Sequence, residues 1–155
     1  MLFITCAFCI IAISASANAK SAERVSAGHL SFEIGKDGSR AAYLIDGKEL
    51  ISGEATDFWR LILDDGQLTE IPVMSHSQKG RVSAKGGVIV AEYDNLLSEY
   101  GTSYPVKFSV RIEAENGMLK FTPSVENNAR GLRVNECFCP MADLEKLCGD
   151  KAEDA

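Results

Sequence analysis

Over residues 30–140 apolar and polar side chains alternate with a period of two, and glycine-centred turns interrupt the alternation at short intervals. That period marks strands that bury one face, because successive side chains leave a strand on opposite sides. Leu30, Phe32 and Ile34 alternate with Ser31 and Glu33, and Lys36-Asp37-Gly38 then turns the chain. Segments 41–45 and 48–51 flank Asp46-Gly47, a pair that tolerates positive φ and so predicts a two-residue hairpin. Residues 58–63 (FWRLIL) predict a denser strand, with Trp59, Leu61 and Leu63 on one face and Phe58, Arg60 and Ile62 on the other. A weaker strand is expected at 68–73, where Pro72 confines it to an edge or a strand end.

The second half repeats the pattern. Segments 81–84 and 88–93 flank Gly86-Gly87 as a hairpin. Val106, Phe108, Val110 and Ile112 alternate with Lys107, Ser109, Arg111 and Glu113, reach Asn116-Gly117, and return through Leu119, Phe121, Pro123 and Val125. Pro123 has no N–H to give a ladder, so the return strand belongs at an edge or carries a bulge. After a turn at 127–131, residues 132–138 supply a last strand. About ten short strands at this spacing predict an all-β fold, an antiparallel β-sandwich or barrel. Two stretches depart from the pattern: the long connection 94–104, which holds Tyr100 and Tyr104, and the tail, where 141–147 predicts a short helix ended by Gly149.

The amino terminus sets the expected compartment. Residues 2–13 (LFITCAFCIIAI) form an apolar run of signal-peptide length, shorter than the ~20 residues of a membrane span. Ala17-Asn18-Ala19 follows as an A-x-A cleavage signal, although no Lys or Arg precedes the run. The expected organisation is a signal peptide at 1–19 and one sandwich domain at 20–155, secreted or held in the periplasm or cell envelope. Net charge is −6, with both signs interspersed. A nucleic-acid partner needs a clustered basic face, which this pattern does not supply.

Five cysteines become three once the leader is removed: Cys137, Cys139 and Cys148. Small buried hydrophobes are the ordinary role for such residues. If an oxidising compartment bridges any of them, Cys148 with Cys139 or Cys137 is the expected pair, because two residues apart on one strand is a poor fit to disulfide geometry. C-x-C without a nearby His lacks the ligands of a zinc site, and no metal or other cofactor is expected.

Candidate chemistry is sparse. His29 and His76 are the two histidines, the latter in Ser75-His76-Ser77, and both read as solvated or hydrogen-bonded surface residues. Glycoside hydrolysis needs two carboxylates ~5 to 9.5 Å apart, and strand spacing singles out no such pair. Asp64-Asp65 reads as a turn. A G-x-S-x-G elbow, a phosphate-binding glycine loop and a His-rich metal motif are all missing from the sequence, so no catalytic residue is assigned. Aromatic faces that could stack on a sugar ring are Tyr43, Trp59, Tyr93, Tyr100 and Tyr104. Of these, Trp59, Tyr100 and Tyr104 are the candidates for contact with carbohydrate or with a following domain; strand aromatics such as Trp59 ordinarily pack in a core.

The order of these motifs, from the hairpin with DGKELI through FWRLILDDG and VKFSVRIEAENGMLKFTPSVEN to LRVNECFCPM, resembles the galactose-mutarotase-like β-sandwich at the amino terminus of large secreted bacterial glycoside hydrolases. The resemblance spans about 28–149 and rests on strand order and turn composition. It implies a supersandwich-like, noncatalytic accessory domain that packs beside a catalytic (β/α)8 barrel absent from this chain, which would then be the leading piece of a longer enzyme. A stand-alone secreted carbohydrate-binding or envelope protein is the alternative, with 94–104 as its recognition loop. Mutarotases proper use a histidine and a carboxylate as acid and base, and neither His29 nor His76 lies in a matching motif.

Overall fold

A computed structural model of the chain describes residues 22–50 and 57–141. The expected leader at 1–19, Ile51, the tail from residue 142 with its helix, and Cys148 lie outside the described residues, so a Cys139–Cys148 bridge has no described partner to examine.

Thirteen strands are described: β1 Ala22–Ala27, β2 Leu30–Gly35, β3 Ala41–Ile45, β4 Lys48–Glu49, β5 Arg60–Asp64, β6 Ile71–Met74, β7 Arg81–Lys85, β8 Val88–Tyr93, β9 Leu96–Leu97, β10 Ser103–Tyr104, β11 Val106–Glu115, β12 Met118–Asn127 and β13 Arg133–Phe138. All pairings are antiparallel. They build two four-stranded sheets, β1-β2-β3-β4 and β12-β11-β8-β7, a three-stranded sheet β13-β5-β6, and the small pair β10-β9. The chain is an all-β sandwich, one of the two architectures the strand spacing allows. A 3-10 turn at Ser75–Ser77 is the one helical element described.

Turn chemistry fixes the registers. Asp46 and Gly47 take φ of 50° and 78°, Asn116 and Gly117 53° and 77°, so each pair closes a two-residue hairpin whose twist matches its strands. Ile45 therefore faces Lys48, and Glu115 faces Met118. Both prolines occupy edges: Pro72 lies in β6 and Pro123 in β12, each at the end of its sheet order. The bulge in this part of the chain occurs elsewhere, in β13 between Val134 and Glu136.

One core joins the three larger sheets. Val25, Phe32, Ile34 and Tyr43 come from the first, Ile89, Ala91, Tyr93, Val106, Phe108, Val110 and Ile112 from the second, and Trp59, Leu61, Leu63, Ile71 and Val73 join from the third segment. Aromatic rings pack in two groups. Phe32 contacts Tyr43, Phe58 and Phe121 with centroids 5.2, 5.4 and 5.1 Å away, while Trp59 meets Tyr93 and Phe108 at 5.1 and 4.3 Å. Three of these pairs, Phe32–Tyr43, Phe32–Phe121 and Trp59–Tyr93, are edge-to-face, a geometry that adds about 0.5–1.5 kcal/mol per pair beyond the area buried.

Three details depart from the sequence reading. The strand count rises because AERVSA forms β1, pairing along its length with β2, and because the connection 94–104 contributes β9 and β10. The strand expected from residue 58 starts at Arg60. Phe58 accordingly precedes the alternation and is buried against Phe32, while Trp59 packs on Tyr93 and Phe108.

Candidate functional site

The five aromatic candidates separate by burial. Trp59 is 0% exposed, and Tyr43 and Tyr93 are also in the core, so none of the three has a ring face to offer a ligand. Trp59 serves packing, the ordinary role of a strand aromatic. Tyr100 is 63% exposed and Tyr104 is half-buried. The fold brings these two to the same neighbourhood: the Tyr104 hydroxyl donates to Asp65 Oδ2 and the Tyr100 hydroxyl to the Glu70 carbonyl, each at 3.4 Å, so both rings flank the turn between β5 and β6. Leu68, exposed, lies in that turn.

The turn itself is rigidly built. Asp65 Oδ1 accepts from the N–H groups of Leu68 at 2.8 Å and Gln67 at 2.9 Å, and Asp64 Oδ1 accepts from Gly66 N–H at 2.7 Å. Asp64-Asp65 is thus a turn, as its sequence predicts. The two backbone donors, Leu68 foremost and then Gln67, hold the Asp65 carboxyl below its ordinary range, and Tyr104 adds a further donor. Loss of solvent around Tyr104, followed by the neighbouring Asp65 charge, pushes the phenol up.

The loop carrying Tyr100 is strapped along the free edge of β6. Alternate carbonyls on that edge accept in turn: Glu70 from the Tyr100 hydroxyl, Pro72 from Glu99 N–H at 2.9 Å, and Met74 from the Gln78 side chain at 2.9 Å. The missing N–H of Pro72 falls on this outer side, where no ladder asks for it. Gln78, buried, also donates to the Leu97 carbonyl at 2.8 Å and accepts from Leu97 N–H at 2.9 Å, replacing a strand neighbour with a side chain. Edge groups that would otherwise invite another strand are covered in this way.

Beside the strap lies a polar cluster that sequence spacing did not bring together. Asp57 Oδ1 accepts from Ser75 Oγ at 2.8 Å and His76 N–H at 2.9 Å, while Asp57 Oδ2 faces His76 Nδ1 at 2.9 Å. Glu99 reaches the same turn from the loop: its Oε1 accepts from Ser77 Oγ at 2.8 Å, and its Oε2 stands 4.0 Å from His76 Nε2. His76 matches the expectation of a hydrogen-bonded residue near the surface; its two carboxylate neighbours, 19 and 23 positions away in the chain, carried no local signal. His29 is an exposed partner of Asp46 at the hairpin turn between β3 and β4.

Cys137 is exposed and Cys139 half-buried, both free thiols among the described residues. Burial, with the neighbouring Cys137 as a second cause, pushes the Cys139 thiol up to about 12, which keeps it protonated and inert. Among the described residues no group of three His, Cys, Asp or Glu side chains is arranged to hold a metal ion, and no helix is long and apolar enough to cross a membrane. No protein-family model, curated protein or solved structure matches the chain.

Proposed function

We propose that this chain is a noncatalytic accessory β-sandwich of a secreted carbohydrate-active enzyme, and that it contacts carbohydrate through Tyr100 and the turn between β5 and β6. The observation that carries the reading is Tyr100: an aromatic ring 63% exposed at the head of a loop whose backbone is fixed on both sides of it. A rigid exposed ring stacks on the apolar face of a pyranose at little cost in conformational entropy, because a tyrosine has only two side-chain torsions to fix. Carboxylates of the adjoining turn offer acceptors for sugar hydroxyls at the rim. Tyr104 supports the platform from the side through Asp65, and Trp59 takes no part in it.

The test is affinity electrophoresis of the protein through gels containing individual soluble polysaccharides. Retardation by at least one glycan that is lost in Tyr100→Ala, with unfolding midpoint unchanged, supports the reading. Free migration in every gel, or retardation that survives Tyr100→Ala, overturns it.

A further inference from the structure

We infer that the outer face of the sheet β13-β5-β6 is a subsite for the carboxylate of a uronate-bearing polysaccharide, with Arg60 as its anchor; the inference rests on the carbohydrate reading and names the class of glycan. The alternation that sends Leu61 and Leu63 into the core turns Arg60 and Ile62 outward. Arg60 stands opposite Met74 of β6 and Phe138 of β13, and Ile62 opposite Pro72 and Glu136. Directly opposed residues share a face, so Arg60 lies among Ile62, Pro72, Met74 and Phe138, none of them buried. Arg133 faces Asp64 across the same strands, which leaves Arg60 as the cation of this face with no acidic residue opposite it.

The guanidinium is held in place without being neutralised. It lies over the Phe138 ring, 4.6 Å from the centroid, and that stacking fixes the plane of the fork. Among the described residues Arg60 makes no hydrogen bond or ion pair, and its Nε is covered with no acceptor. A half-buried arginine in this state has lost hydration that nothing in the fold replaces. Its two Nη atoms stay open to solvent, and a planar fork of this kind presents parallel donors that match the two oxygens of a carboxylate. The apolar neighbours can receive the C–H face of the sugar that carries that carboxylate. One unpaired guanidinium on a chain of net charge −6 suits one carboxylate per sugar rather than a densely sulfated polymer. Tyr100 reaches the Glu70 carbonyl, and Met74, opposite Arg60, lies four residues further along, about 13 Å away on the strand. Both contacts fall within the length of one short oligosaccharide.

Affinity electrophoresis of the full chain through gels of polygalacturonate, alginate and hyaluronan, of their methyl esters and of dextran sulfate decides the matter. Mobility is taken relative to a gel without polymer, so that the charge of each variant cancels. At least one acid form should retard the parent while its ester does not, and Arg60→Gln should weaken that binding by about 10-fold or more. Arg60→Lys keeps the charge without the fork and should recover only part of the loss. Phe138→Ala removes an exposed ring and should weaken binding by loosening the guanidinium while the unfolding midpoint stays close to the parent's, so it reports on the site even if Arg60→Gln fails to fold. Equal retardation by acid and ester, or an Arg60→Gln variant that binds as the parent does, overturns the inference and leaves the carbohydrate reading standing. Dextran sulfate retarding the parent as strongly as the acid forms overturns it too, by showing a general affinity for anions. Retardation that survives Tyr100→Ala but is lost in Arg60→Gln upholds the inference and removes Tyr100 from the site. Free migration in every gel overturns it, while the neutral glycans of the Tyr100 test decide the reading on which it rests.

Discussion

The hydroxyl of Tyr93 donates to the carbonyl of Gly38 at 2.8 Å, inside the protein and across 55 positions of sequence. The bond ties the turn after β2 to the end of β8, and the Asp37 carbonyl reinforces it by accepting from Gly80 N–H at 2.7 Å. Glycine is required on both sides of the ring. A Cβ on Gly38, whose φ is +70°, would lie 2.7 Å from the Tyr93 oxygen, and one on Gly80 would lie 2.6 Å from the Glu92 carbonyl. The second obstacle is backbone and cannot swing away. Gly80→Ala is therefore expected to cost about 1–3 kcal/mol through overpacking. Tyr93→Phe should cost about 1–3 kcal/mol by leaving the Gly38 carbonyl buried without its donor. Urea unfolding monitored by Trp59 fluorescence checks both, and a midpoint unchanged in Gly80→Ala would refute the packing argument.

Gln78 is a second point of long-range control. Its amide satisfies three backbone groups, the carbonyls of Met74 and Leu97 and the N–H of Leu97. Gln78→Leu preserves much of the volume and orphans all three, an expected loss of about 2–4 kcal/mol if the groups regain water only in part. The local signature should exceed the global one: amide exchange at Leu97 and Glu99 should quicken while Val110 and Ile112 in the core keep their protection relative to global stability. Equal loss of protection everywhere would mean that the strap has no separate stability.

How much of this was legible in the sequence depends on the range of the interaction involved. The hairpin of β11 and β12 is written in its alternation and in Asn116-Gly117, and the edge positions of β6 and β12 follow from Pro72 and Pro123, because strand faces and turn backbones are decided by neighbours. β1 escaped because AERVSA offers only Val25 and Ala27 as a buried stripe; pairing with β2 supplies what local pattern lacks. Phe58 escaped because it precedes the strand, where a period of two has no meaning. The Asp57–His76–Glu99 cluster was illegible for a stronger reason. Three elements converge on it, and nothing in a strand's sequence states which edge a distant loop will cover.

Alkaline pH should destabilise the protein in two stages. Burial raises the Cys139 thiol from its ordinary value near 9 to about 12, and burial pushes the phenols of Tyr43 and Tyr93 upward from 10. In each case the unfolded chain releases the proton first, so stability is fully present below the unfolded value and falls as pH rises beyond it. Decline should therefore begin near pH 9, where the unfolded thiol ionises, and steepen above 10 as the unfolded tyrosines follow. Cys139→Ala should shrink the first stage to the smaller share of Cys137, whose thiol burial also raises, and leave the second. Urea midpoints at pH 7, 9.5 and 10.5 measure this; a variant that declines as the parent does between 7 and 9.5 would show that the thiol is not the group responsible.

Phe32 is the core position on which the strongest stability effect is expected. It touches three aromatic rings, Tyr43 from its own sheet, Phe121 from β12 and Phe58 from the segment leading into β5, so its removal opens a cavity where three elements meet. Phe32→Ala should cost about 3–5 kcal/mol, a large part of the 5–15 kcal/mol typical of a domain. Phe32→Leu retains most of the apolar volume but loses the edge-to-face contacts and should cost clearly less. Phe138→Ala supplies the contrast. That ring is 38% exposed in edge strand β13 beneath the Arg60 guanidinium, 4.6 Å from it, and a contact so open to water should yield about 1 kcal/mol or less. The order Phe32→Ala, Phe32→Leu, Phe138→Ala in falling loss of urea midpoint is the expected result. A Phe138→Ala variant as damaged as Phe32→Ala would move the energetic centre of the fold from the junction of the sheets to the β13 edge.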